Sequence, residues 1–248
     1  PCDVPCKWTH GGNIMTRAKI LDFPGKNTIL MSMEGSKHYH ELSNRGNHAL
    51  LCTTDHDSDI PMNYFVWKWT QYFKPKPTAE EDIWLSDINE RKLNPKPKPL
   101  IAFIARNCKS LNQRERLVKH FMKENLVHSL SSCLNNYHEP NLDKKLSKRD
   151  VQNQYMFYAS FENENTNGYI TEKLWSAFAA ATLPIYYGAP DIRKKVGMLP
   201  DPKSIIDYND FKNLSELTTY VKYLIKNRTA YLEHMEWRKR PLSKAFKR

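Results

Sequence analysis

The chain of 248 residues predicts an α/β protein organised in two halves, the second built on a mostly parallel sheet and the first holding strands with less clear pattern. Three observations predict it. Short apolar runs alternate with segments of helical spacing, the pattern of strand–helix–strand units. Tyr155–Pro190 reads without interruption as strand, polar loop, helix and strand. The proline–lysine runs Lys74–Pro77 and Asn94–Pro99 flank a middle stretch and separate residues 1–95 from residues 96–248. Proline cannot donate to a ladder and biases its neighbours to extended backbone, so this stretch is an interdomain connection or a surface loop.

Taken in order, Thr28–Met33 and His48–Thr53 read as strands, with Glu34–Arg45 between them, and Thr78–Leu93 is mixed enough to hold a short helix. Leu100–Ala105 is a buried-type strand, broken by Asn107-Cys108-Lys109. Arg114–Glu124 places Leu117, Val118, Phe121 and Met122 on one helical face, and Leu126–His128 reads as the next strand. Tyr155–Phe161 is an aromatic-rich strand, and Glu162–Gly168 is too polar to continue it. Thr171 stands at an N-cap position before Glu172 and the run Leu174, Trp175, Phe178. Thr182–Tyr187 is a buried strand closed by Gly188 and Pro190. Ser204–Asp207 reads as a short strand and Leu214–Lys226 as an amphipathic helix carrying Leu217, Val221 and Leu224. Polar groups at a strand's carboxyl end beside a helix N-terminus mark where open α/β sheets bind ligands, with a preference for anions.

Composition bounds the function. No run of about 18 apolar residues occurs, so no membrane-spanning helix is expected. The start at Pro1 reads as a fragment or a processed luminal portion, which leaves an upstream anchor open. Lys and Arg number 38 against 27 Asp and Glu, a net charge of +11 that suits nucleic acid, an acidic membrane surface or a polyphosphate ligand. The excess lies in Lys144–Arg149, Arg193–Lys195 and Arg238–Arg248, and such runs are usually solvated faces. No nucleic-acid module signature accompanies them. Of the five cysteines, Cys2 and Cys6 lack a second ligand pair for zinc, and the odd count leaves one unpaired or paired elsewhere. The sequons at Asn213 and Asn227, with the cysteines, lean towards a secretory compartment. Asp57 and Asp59 read as turn and cap residues, because two carboxylates alone are poor evidence for a metal.

Phe161-Glu162-Asn163, then Tyr169-Ile170-Thr171-Glu172-Lys173-Leu174-Trp175, then Pro184 and Tyr187-Gly188-Ala189-Pro190 resemble the signature of the α1,3-fucosyltransferases, glycosyltransferase family 10. The resemblance runs from about Thr28 to Arg238, and the segment Tyr231–Trp237 is similar to the family's C-terminal helix. Ile29–Glu34 and Tyr64–Trp67 are most similar to plant-type members, which fucosylate the 3-hydroxyl of the innermost GlcNAc of N-glycans. The resemblance implies a GT-B type fold of two Rossmann-like domains, with acceptor on the first half and GDP-fucose on the second. It implies an inverting transfer that needs neither metal nor added cofactor. The implied partners are GDP-fucose and a glycan or glycoprotein acceptor, without nucleic acid. The implied place is the Golgi lumen, as part of a type II membrane protein. A Lewis-type antenna or a protein hydroxyl stays open as acceptor. The non-enzymatic alternative is a basic polyanion-binding protein on the same scaffold.

By the same resemblance Glu34 is the general base, and a base must be ionised in the resting enzyme. Arg114 and Lys173 supply positive charge to the diphosphate, Glu172 accepts hydrogen bonds from donor hydroxyls, and Asn163 and Tyr169 line the donor pocket. Asn107 is a further donor-side candidate and equally a turn-former that ends a strand. From the residues alone, Glu34 reads as an exposed surface acid and Arg114 and Lys173 as exposed first-turn cations. The resemblance also implies a disulfide between Cys108 and Cys133. Three departures stand out: Gly35 where serine is usual, Arg106 before Asn107, and Ser131-Ser132 in place of glycines.

Overall fold

The computed structural model describes residues 7–10, 19–23, 27–38, 48–55, 57–62, 64, 100–138, 147–194, 197–242 and 246. Both proline–lysine runs, the Thr78–Leu93 segment and the boundary near residue 95 lie outside the described residues.

Among the described residues two five-stranded sheets form. The first contains, in spatial order, β1 (Lys7–His10), β2 (Lys19–Phe23), β3 (Asn27–Met31), β4 (Leu50–Thr53) and β5 (Ile60–Pro61). β1, β2 and β3 pair antiparallel, whereas β3, β4 and β5 pair parallel. Connection length accounts for the mixture. Only residues 24–26 separate β2 from β3, which permits a hairpin and nothing else, while residues 32–49 leave room for a crossover. Glu34 thus follows the carboxyl end of a parallel-paired strand, as the sequence predicts.

The second sheet contains β6 (Ile101–Phe103), β7 (Val127–Ser129), β8 (Phe157–Phe161), β9 (Leu183–Tyr187) and β10 (Ile206–Asp207). Its spatial order is β7-β6-β8-β9-β10, and every neighbouring pair is parallel. The chain therefore reverses its direction of winding between β6 and β8, and the carboxyl ends of strands at such a switch point are where open α/β sheets bind ligands. The helices are α1 (Arg114–Lys123), α2 (Lys148–Asn153), α3 (Glu172–Ala179), α4 (Leu214–Lys226) and α5 (Arg228–Glu233). α2 and α5 are too short for the periodicity to announce; Ser147 and Asn227 cap them with side-chain oxygens.

Burial follows the sequence pattern. All five residues of β8 are buried, as a central parallel strand covered on both faces requires. Phe103, Phe121, Phe157, Ile185, Leu217, Val221 and Leu224 join β6, α1, β8, β9 and α4 in one core. Trp175 and Phe178 of α3 pack with Trp237 and Phe246 in a second cluster. Each fully buried leucine of α4 is worth about 1.5–3 kcal/mol. Asn213 caps that helix by accepting from the Glu216 amide at 3.0 Å. Both sequon asparagines are therefore helix caps that use their side-chain oxygen.

Cys108 and Cys133 form a disulfide with a Cα–Cα distance of 5.1 Å. It ties the loop after β6 to the turn after β7, where Ser132 also donates to the Arg106 carbonyl at 3.2 Å. Closing a loop of this length contributes about 3 kcal/mol through the unfolded chain. Cys133→Ser is accordingly expected to lower the melting temperature by roughly 6–12 °C. Peptide maps with and without reductant check the bond, and a scanning melt checks its contribution.

Candidate active site

The site is assembled from three segments: residues 107–114 after β6 and residues 162–173 after β8, which the switch point brings together, and residues 34–37 after β3 of the first sheet, which meet the loop after β8. Glu162 organises the second of these. Its carboxylate is fully buried. It accepts from the Thr171 amide at 2.8 Å and the Thr171 hydroxyl at 2.7 Å. Lys173 Nζ lies 3.2 Å from the same carboxylate and donates to Thr171 Oγ1 at 2.8 Å. The predicted N-cap is thus real, and its capping hydroxyl is itself held by an acid from the preceding strand end. The last residue before that acid, Phe161, is anchored differently: its carbonyl accepts from Arg114.

Lys173 sits between two acids, 3.2 Å from Glu162 and 3.5 Å from Glu172. Burial pulls its pKa down most strongly, but Glu162 and Glu172 together more than offset this and leave it raised. Lys173 is therefore charged across the physiological range. Glu172 is the more exposed partner, and burial, which would raise its pKa, is outweighed by Lys173 and Lys148, so it titrates below the usual carboxylate range.

Arg114 is only 3 % exposed. It donates to the Phe161 carbonyl at 2.8 Å and to the Asn107 carbonyl at 3.2 Å, so it bridges the carboxyl ends of β6 and β8. Burial lowers its pKa, as removal of a charge from water must. In this conformation its terminal nitrogens serve backbone carbonyls. Lys173 is the more accessible of the two predicted cations, with 17 % of its side chain exposed. Asn107 is exposed and accepts from the Lys109 amide at 2.8 Å, the turn geometry that the sequence allows as its alternative. Gln113, immediately before Arg114, is held at φ 56°, a left-handed conformation that costs a non-glycine residue of order 1–3 kcal/mol.

Glu34 crosses from the first sheet to this loop. Its Oε2 accepts from the Tyr169 hydroxyl at 3.1 Å and from Asn163 Nδ2 at 3.4 Å. Tyr64 Oη donates to the Met33 carbonyl at 2.8 Å, and its ring meets Tyr169 edge-on. Burial, followed by the fields of Glu162 and Glu34, pushes Tyr169 well above the ordinary tyrosine range, so its hydroxyl remains a donor. Glu34 is a buried residue rather than the exposed acid that its own half of the sequence suggests.

Two acids of this site escape sequence reading. Glu162 appears there only as part of a signature; its position directly after a buried strand and shortly before an N-cap is the signal. Glu164 has no sequence signal. It is fully buried, accepts from the Thr166 hydroxyl, and is hydrogen-bonded through the backbone of Lys37. Burial first, then the neighbouring Glu34, raises its pKa from 4.5 to about 7, against the lowering influence of Lys37. The native state therefore holds this proton more tightly than the unfolded chain. Its contribution to stability is complete below pH 4.5 and is lost as pH rises through about 7. Glu164→Gln is expected to flatten the fall in melting temperature between those two pH values, read by melts in a buffer series.

Gly188 completes the loop packing. A Cβ there would lie 2.5 Å from Tyr186 Oη and 2.6 Å from Glu162 Cγ, so only glycine lets the chain after β9 pass this close. Asp57 and Asp59 lie in the turn after β4, where the Asp57 amide donates to Asp55 Oδ1 at 3.0 Å and Asp59 Oδ2 accepts from the Leu51 amide at 2.8 Å. No helix among the described residues is long and apolar enough to cross a membrane.

Residues 93–247 match the family described as glycosyltransferase family 10 (fucosyltransferase), C-terminal part. The chain is 32% identical over 212 residues to GDP-fucose protein O-fucosyltransferase 3 of Gallus gallus, covering 81% of this chain and 44% of that protein. It is 27% identical over 239 residues to α-(1,3)-fucosyltransferase B of Drosophila melanogaster, covering 89% and 48%. The chain thus spans less than half the length of these curated relatives. A crystal structure of an α1,3-fucosyltransferase with GDP-fucose superposes with a TM-score of 0.52 at 24% identity, covering 77% of this chain and 54% of that one, and supports the GT-B fold. The match over residues 93–247 contains the all-parallel sheet, its switch point and the Glu162–Lys173 loop, and the chain belongs to glycosyltransferase family 10, the fucosyltransferases.

Proposed function

We propose that the protein transfers fucose from GDP-fucose to an acceptor hydroxyl with inversion at the anomeric carbon. One observation carries the reading: Glu34, after β3 of the first sheet, meets Asn163 and Tyr169 of the loop after β8, beside the switch point of the second. Glu34 takes the proton of the acceptor hydroxyl, and the oxygen attacks the anomeric carbon. The bond to GDP breaks and the diphosphate takes the electron pair. Lys173 and the amides at the start of α3 face the developing charge. Arg114 supports them by fixing the loop ends on which they stand. In this reading Glu172, Asn163 and Tyr169 meet the donor's sugar, and Asn107 contributes through its turn.

For the acceptor, the first reading is the 3-hydroxyl of a GlcNAc, with the N-glycan core as the candidate. A name supports a second reading: several relatives, the one from Gallus gallus among them, are called protein O-fucosyltransferase 3. The setting in either case is the secretory pathway, with the Golgi lumen as the expected place. Mass spectrometry of transfer to a core N-glycopeptide, N-acetyllactosamine and a folded protein domain tests this. Fucose on the glycopeptide supports the first reading, and fucose on the protein alone supports the second. Salt-sensitive heparin binding with neither GDP binding nor transfer would replace both with a polyanion-binding role.

A further inference from the structure

Gly35 directly follows the proposed base and is itself buried. A Cβ at this residue would lie 2.0 Å from Glu164 Oε1, 2.1 Å from its Cδ and 2.7 Å from its Cγ. The Glu164 carboxyl thus fills the volume that any side chain at residue 35 needs. A side chain at residue 35 would therefore have to displace the Glu164 carboxyl.

Asn163 and Glu164 are adjacent in the loop after β8, and each meets the segment after β3. Asn163 reaches the Glu34 carboxylate at 3.4 Å. Glu164 lies over the backbone of Gly35 and bonds that of Lys37. The charged and titratable groups around this contact are Glu34, Lys37, Tyr64 and Tyr169.

We propose that Glu164 is a positioning residue for the base: it seats residues 34–37 on the loop after β8 and so holds the Glu34 carboxylate beside Asn163 and Tyr169. This rests on the proposed role of Glu34. Glu164 touches neither reacting atom; it acts through the backbone that carries Glu34. A displacement of about 1 Å in a reacting group can cost 10²-fold in rate, which sets the scale of the effect.

The test is a double-mutant cycle on the full chain. Turnover is measured with GDP-fucose and with the core N-glycopeptide and the folded protein domain as acceptors. Gly35→Ala is expected to lower kcat about 100-fold with the GDP-fucose KM changed less than about twofold, because its methyl displaces the Glu164 carboxyl. Glu164→Ala is expected to lower kcat about tenfold, and in that background Gly35→Ala should cost less than about twofold. Glu164→Gln keeps the shape and the oxygen acceptor, so it should retain at least about threefold more kcat than Glu164→Ala. Multiplying losses in the double variant would overturn the proposal. So would coupling in melting temperature with none in kcat, since Glu164 would then only stabilise the fold. A fully active Glu34→Gln would remove the base reading independently of the cycle, so the two failures are told apart.

Discussion

Glu34→Gln is expected to lower kcat by about 10³-fold, some 4 kcal/mol of transition-state stabilisation, while GDP affinity stays close to that of the wild type. Two donors to Glu34 among the described residues, the Tyr169 hydroxyl and Asn163 Nδ2, use the same oxygen, Oε2. A glutamine can present its carbonyl oxygen there and keep both bonds, so the local geometry survives. What it loses is the ability to take a proton. Calorimetric titration with GDP separates the two effects, because Glu34 stands on the first sheet and Lys173 and Thr171 on the second. A variant that keeps about a tenth or more of the wild-type rate would place the base elsewhere.

Glu162→Gln is expected to lower stability by about 3–5 kcal/mol and the melting temperature by roughly 10 °C. Glu162 is fully buried, with three donors on its carboxylate: the Thr171 amide, the Thr171 hydroxyl and Lys173 Nζ. Glutamine offers one acceptor oxygen and one amide that points donors at donors. It also leaves Lys173 without its nearest counter-charge. The start of α3 then loosens, and the KM for GDP-fucose should rise. Adding Lys173→Met should recover part of the stability but none of the turnover. Removing both charges lifts the penalty of a buried unpaired ion, whereas the cation proposed to face the diphosphate is gone. A melting temperature within about 2 °C of the wild type in Glu162→Gln would show that the pair carries no such load.

Local chemistry made most of the second half legible. The strands, α1, α3 and α4, and the Thr171 cap follow from apolar spacing and from single capping residues, which act within a few positions of themselves. The first half was less legible. Its parallel and antiparallel pairings depend on connection lengths, and its one site residue, Glu34, looks like a surface acid until the loop after β8 covers it. The disulfide was implied by a resemblance rather than by spacing, because two cysteines 25 residues apart become neighbours only when β6 and β7 pair.

By itself the sequence determined the family, the α/β alternation, and the residue types gathered at the carboxyl end of β8. Those properties are written in neighbouring positions and need no partner from far along the chain. Only the tertiary structure decided what these residues do to one another. It turned Arg114 from an exposed first-turn cation into a buried bridge between Phe161 and Asn107. It made Glu162 the anchor of Thr171 and Lys173, and it set Glu164 into the space left by Gly35. The physical reason is that burial and charge pairing belong to the space around a side chain. Here that space is shared by segments more than a hundred residues apart, as the contacts of Glu34 with Asn163 and Tyr169 show.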